Sequence, residues 1–186
     1  MDAQLQSTLL NVAGPCFTIG VVLLAMRLRA ARLHHAAWWE DLGLIWPKWS
    51  VFLLWLGIGI GWIVVGEISS NLLGMEQPRP WHYPPLIVAL RILAIGLLGP
   101  MAEEILWRGL IFHLISRTRI GAWGAIFFCA ATWAVLHFRY EWMTIVMIFL
   151  DGIILGLARY RSRSVLVPAV LHSLNNLYSI YQSLHR

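Results

Sequence analysis

The chain carries ionisable and amide side chains inside stretches that are otherwise apolar. Arg91, Glu103, Glu104 and Arg108 interrupt one such stretch, His137 closes a second, and His172 with Asn175 and Asn176 lies in a third. A charged group at the centre of a hydrocarbon span costs at least about 2.5–3.5 kcal/mol, so each of these is a candidate for function by default. Glu104 and Arg108 stand four residues apart with the acid first, the order in which a helical pair neutralises itself. Glu103 is rotated about 100° from its neighbour and has only Leu106 and Trp107 at helical spacing. Its function or its partner must therefore come from another helix. His172 and Asn176 share one helix face. One glutamate, two imidazoles and an amide are thus available from three helices to exchange protons, to hold hydrogen bonds or to ligate a metal.

The elements that must position these groups follow from composition. Of 186 residues, 59% are hydrophobic and only 12% charged, against about 45–50% and about 25% in soluble domains. The expected fold is all-α, a polytopic transmembrane helix bundle forming a single domain over residues 1–186, with no room for a second soluble one. Six spans are expected: Leu9 to Met26, Val51 to Val65, Leu86 to Ile115 with a kink at Gly99-Pro100, Ala122 to His137, Met143 to Ala158, and Val165 to Leu184. The proline should free a backbone carbonyl inside the bundle. No basic stretch precedes the first span, which is expected to remain as an anchor. Eleven Trp, with Trp38, Trp39, Trp46 and Trp49 flanking a span, suit the headgroup layer. Cys16 and Cys129 lie in apolar runs and read as small hydrophobes.

With the N-terminus outside and Leu86 to Ile115 crossing once, nine basic residues fall on inner connections: Arg27, Arg29, Arg32, Lys48, Arg117, Arg119, Arg159, Arg161 and Arg163. Arg79, Arg139 and Arg186 fall on outer ones. The formal charge of +5 is then the positive-inside asymmetry of a multi-pass membrane protein, and no nucleic-acid partner is expected. Proline and glycine between Glu67 and Pro85 imply an ordered or re-entrant outer loop.

At these residues the sequence resembles the CPBP intramembrane proteases, the CAAX protease and bacteriocin-processing or Abi family. The first family motif, two glutamates followed after three residues by arginine, is matched by Glu103, Glu104 and Arg108, with Gly109 next. The second, an aromatic residue four before a histidine, is met by Trp133 and His137, although the family normally has phenylalanine there. The third, a histidine four before an asparagine or aspartate, is met by His172 and Asn176, and Gly152, Gly156 and Pro168 fall where the family has small residues and a proline. The resemblance covers about residues 85–178.

What the resemblance implies is cleavage of a peptide bond within the membrane. Glu103 and His137 would activate water, His172 and Asn176 would stabilise the oxyanion, and Glu104, Arg108 and Trp133 would support the site. The implied substrate is a membrane-associated peptide or protein terminus, the other partner is the lipid bilayer, and the implied location is a bacterial inner membrane. No cofactor is required by that mechanism.

Other readings use the same residues. Glu103, His137 and His172 form a two-imidazole, one-carboxylate set that zinc accepts with a fourth position open, although the sequence lacks His-Glu-x-x-His and the metal-free glutamate mechanism is favoured. A peptide-binding or immunity protein that does not cut is a further alternative. Residue by residue, Glu103 can be a buried acid satisfied by neighbouring helices, His137 an interfacial histidine, and His172 with Asn176 interhelical hydrogen-bond glue. Arg91 can pair with Asp151 or snorkel. Gly57, Gly59 and Gly61 suit close helix packing. His34, His35, His82, His113 and His185 lie near span ends or in connections and receive no role.

Helical rise sets depth. From Arg117, Glu103 lies about 21 Å up, and from Gly121, His137 lies about 24 Å up. His172 reaches only about 13 Å above Arg163 if all helical, but about 20 Å if Ser164 to Val167 is extended before Pro168. The site should then lie in the outer half of the bilayer, open to the arginine-poor face.

Overall fold

The computed structural model describes residues 3–32, 34 and 37–185; His35 and Arg186 lie outside them. The described residues form seven helices and no strand: α1 (Ala3–Arg32), α2 (Trp38–Leu42), α3 (Trp49–Leu73), α4 (Pro85–Ser116), α5 (Gly121–Leu136), α6 (Trp142–Ser162) and α7 (Leu166–Leu184). The six longer helices coincide with the six expected spans. Among them α1, α3, α4 and α6 are long and apolar enough to cross a membrane, whereas α5 is shorter and α7, with 19 residues, is not apolar enough. Side chains such as Phe17, Leu54, Leu72, Leu86 and Val135 are exposed on the outside of the bundle, where hydrocarbon rather than water is the solvent.

Helix α4 is central. It packs on α1 along one side and on α5 and α7 along others, while α6 joins α5 to α7 and α3 lies against α7. Lipid tails are as apolar as leucine, so contact between such helices depends on close approach of small residues. Gly152 on α6 supplies the tightest contact with α5: a Cβ there would stand 2.9 Å from Ala130 Cα. Gly156 repeats this against Ile126 one turn on. Of the three alternating glycines of α3, only Gly59 touches a neighbour, Leu171; Gly57 and Gly61 face open space.

The chain reverses where its local chemistry requires. Gly74 ends α3 in the left-handed region at φ 63°, the usual role of glycine just past a helix, and Pro85 begins α4 at a position where its missing N–H is no loss. Gly43, at φ 74°, ends α2, and a Cβ there would collide with the Arg159 guanidinium 2.7 Å away.

Hydrogen bonds sort the helix ends into two groups. Arg159 Nη2 donates to Asp41 O at 3.4 Å, Ser164 Oγ to Ile45 O at 2.6 Å, and Val165 N to Gly43 O at 2.8 Å, which gathers the arginine-rich connections at one end. At the other, Glu76 N donates to Glu141 Oε1 and Trp81 N to Ser183 O, both at 2.9 Å. This alternation agrees with α4 running from one end to the other.

One expectation needs correction, and one open alternative is decided. The residues before Pro168 are not extended through Val167, because α7 begins at Leu166. His172 comes level with Glu104 by another route: the α6–α7 turn is itself inside the bundle, with Ser164 and Val165 fully buried beneath residues 43–46. Arg91 does not pair with Asp151. Its guanidinium lies over the rings of Trp81 and Tyr83, 4.9 and 4.6 Å from their centroids, because the loop after α3 folds back onto α7.

Candidate active site

Helix α4 departs from α-helical geometry twice, on either side of the glutamates. Ile92–Leu98 and Ile105–Ile111 are π-helical, a feature that frequently marks functional sites. The first stretch follows from Pro100. Gly99 N–H bonds Ala94 O, five residues back; the next bond in that register would run from residue 100 to Ile95 O, and proline has no N–H. Asn176 Nδ2 donates to Ile95 O instead, at 2.9 Å. The carbonyl expected to be freed by the proline is thus taken by the last residue of the third motif. In the second stretch, Arg108 O accepts from Arg159 Nε at 2.8 Å and Trp107 O from Cys129 Sγ at 3.3 Å.

Glu104 and Arg108 face inward, both fully buried, and their Oε1 and Nη1 atoms are 2.8 Å apart. Arg108 Nη2 reaches Gly152 O at 3.3 Å, which ties the pair to α6. Glu104 Oε1 also accepts from His172 Nδ1 at 3.0 Å. Because a carboxylate accepts, the His172 proton sits on Nδ1, and Nε2 becomes a donor only in the imidazolium form. The Asp151 carboxylate acts electrostatically on both His172 and Arg108 and is hydrogen-bonded by the Asn175 side chain.

Glu103 points to α5, where Trp133 Nε1 donates to its Oε2 at 2.6 Å. His137 caps the end of α5, and its Nδ1 lies 2.8 Å from Trp133 O. A carbonyl only accepts, so Nδ1 carries the proton and Nε2 of the neutral ring keeps a lone pair. The Trp133 ring is the meeting point: it is edge-on to His137 at 5.2 Å and to His172 at 5.1 Å, and Arg108 Cζ lies 4.9 Å from its centroid. Glu103, His137 and Asn176 are half-buried, while Glu104, Arg108, Trp133 and His172 are buried.

The structure brings Glu103, Glu104, Arg108, Trp133, His137 and His172 around one indole, and seats Asn176 on the helix backbone two turns before the glutamates. What the spacing of residues did not reveal is the indole N–H bond, since an aromatic position reads as packing. Among the described residues no three His, Cys, Asp or Glu side chains are placed to hold a metal ion. Glu103, His137 and His172 each hold a different partner, respectively the Trp133 indole, the Trp133 carbonyl and Glu104.

Comparison with known proteins bears on the same helices. An uncharacterized 24.3 kDa protein of Escherichia coli is 28% identical over 169 residues, covering 84% of this chain and 75% of that protein. No solved structure matches. Residues 85–178, from the first turn of α4 into α7, match the model of the Rce1-like type II CAAX prenyl endopeptidases, and the chain belongs to that family of membrane-embedded peptidases.

Proposed function

We propose that the protein hydrolyses a peptide bond near the end of a membrane-associated peptide or protein, using water activated by Glu103 and His137. The observation that carries this reading is the convergence on Trp133 of a carboxylate oxygen and two imidazoles from three helices. Trp133 holds Glu103 Oε2, so the other oxygen is presented to water, and His137 Nε2 can accept from the same water. Glu103 takes the proton as the water oxygen adds to the carbonyl carbon, and returns it to the leaving amine. His172 Nε2, in the imidazolium form charge-balanced by Glu104, and the second amide hydrogen of Asn176 are the donors for the oxyanion. The implied location is a bacterial inner membrane, with the arginine-rich end in the cytoplasm.

The test uses proteoliposomes of the full chain with an S-farnesylated peptide ending in a CAAX sequence as probe, and membranes of host cells compared by mass spectrometry of peptide termini. Wild type should cleave a membrane-associated chain whose uncut precursor accumulates with Glu103→Gln. Cleavage at the wild-type rate by purified Glu103→Ala would overturn the mechanism. Retained peptide with no cut product in wild type would favour the binding-only alternative.

A further inference from the structure

The arginine-rich end holds a cavity far from the glutamates. It measures about 140 Å³ and lies between the end of α1 (Met26, Arg29, Ala30), α2 (Trp38, Asp41) and the end of α4 (His113, Arg117). That exceeds what a single water requires. Its lining brings Arg29 of α1 and Arg117 from the end of α4 together with one acid, Asp41 of α2. Arg117 Nη1 is 3.7 Å from Asp41 Oδ1, and the His113 ring nitrogen Nδ1 is 3.8 Å from the same oxygen. Arg29, Arg117 and Arg159 all act electrostatically on the buried His113 ring. One carboxylate is therefore outnumbered by guanidinium groups. Arg29 also belongs to a furrow on the outside of α1 lined by Ala25, Leu28 and Arg32, where Leu28 is exposed to the lipid side.

We infer that this cavity binds the phosphate of an anionic phospholipid headgroup, with Arg29 and Arg117 as the main donors and an acyl chain along Ala25 and Leu28. Guanidinium groups match phosphate geometry, and basic pockets between helices on the cytoplasmic side suit such headgroups. The depth agrees: the cavity lies where the Arg-rich connections gather and where Trp38 can sit among headgroups. An occupant bridging Arg29 and Arg117 would fasten the end of α1 to the end of the glutamate-bearing helix.

The test is thermal unfolding of the full chain in a neutral detergent. Phosphatidylglycerol should raise the midpoint saturably, by about 5 °C or more at ~100 times the dissociation constant. Phosphatidylcholine of the same chains should not. The double variant Arg29→Gln/Arg117→Gln should need at least about tenfold more phosphatidylglycerol for the same rise, whereas Arg161→Gln, outside the cavity, should respond as wild type. Native mass spectrometry should show one retained phosphatidylglycerol in wild type and none in the double variant, which keeps the test valid if that variant is less stable. Equal response to both lipids, an undiminished response in the double variant, or an equal loss in Arg161→Gln would overturn the proposal. A saturable rise with inorganic phosphate and none with phosphatidylglycerol would place a free anion there and overturn the lipid assignment.

Discussion

Trp133 Nε1 donates to Glu103 Oε2 at 2.6 Å, from a position where the family resemblance leads one to expect phenylalanine. A phenyl ring could pack between His137 and His172 but could not hold a carboxylate. A hydrogen bond to a charged group is worth about 1.5–3 kcal/mol, and each 1.36 kcal/mol is tenfold in rate. Trp133→Phe should therefore lower kcat about 10- to 100-fold and leave KM unchanged, as read by cleavage in proteoliposomes. An unchanged kcat would show that the contact has no part in positioning the base.

Arg108 is the buried counter-ion of Glu104, and its removal leaves that carboxylate with only the His172 imidazole beside it. Arg108→Met should destabilise by about 3–5 kcal/mol, seen as a lower thermal midpoint in detergent. The double variant Glu104→Gln/Arg108→Met removes both charges and should recover most of that loss. A double variant as unstable as the single one would mean that Arg108 matters through Gly152 and Trp133, its other contacts, rather than through Glu104.

Asn176 has two separable roles to test. Its bond to Ile95 O substitutes for the N–H that Pro100 lacks. Asn176→Ala should leave that carbonyl unsatisfied and lower stability by about 1–3 kcal/mol; it should also lower kcat about 10²–10³-fold if the second amide hydrogen serves the oxyanion. Adding Pro100→Ala restores a backbone donor. The pair of substitutions should regain stability without regaining kcat. Recovery of both would assign Asn176 a purely structural part.

The membrane character and the six longer helices were legible because hydrocarbon solvent tolerates so few polar residues. The relation of Glu104 to Arg108 was equally legible, since i,i+4 spacing is a local property. What connects helices was harder to read. That a proline frees a carbonyl follows from its chemistry, but that Asn176, 81 residues from Ile95 in sequence, takes it depends on how α7 lies against α4. The π-helical stretches left no residue pattern to find, and they displace Glu103 and Glu104 relative to a regular helix. How His172 comes level with the glutamates was misjudged because a turn between spans was assumed to lie at the membrane surface, whereas Ser164 and Val165 are buried under the short α2 and the residues after it.

Among the described residues Glu103, His137 and His172 are not placed to hold a metal ion together. Cleavage should thus persist within about twofold after dialysis against a zinc chelator. Loss of activity that returns with added zinc would instead require Glu103, His137 and His172 to rearrange around the ion.

The last prediction concerns the face from which water arrives. Helix α5 has 16 residues, about 24 Å at 1.5 Å each, less than the ~30 Å of a hydrocarbon core. Starting beside the Arg117–Arg119 connection, it ends at His137 before it has crossed fully. The segment that follows continues to the arginine-poor end, where Glu141 holds the backbone of Glu76. Of the site residues, Glu103, His137 and Asn176 are half-buried while Glu104, Arg108, Trp133 and His172 are buried, and water is expected to reach Glu103 from the His137 side. Phe138, next in sequence, is 70% exposed. In a Cys16→Ser background, with buried Cys129 kept, Phe138→Cys should react with a membrane-impermeant thiol reagent applied to intact cells from outside. Protection of that cysteine outside, with labelling only after the cytoplasmic face is opened, would overturn both the direction of water access and the orientation deduced from the arginine-rich end.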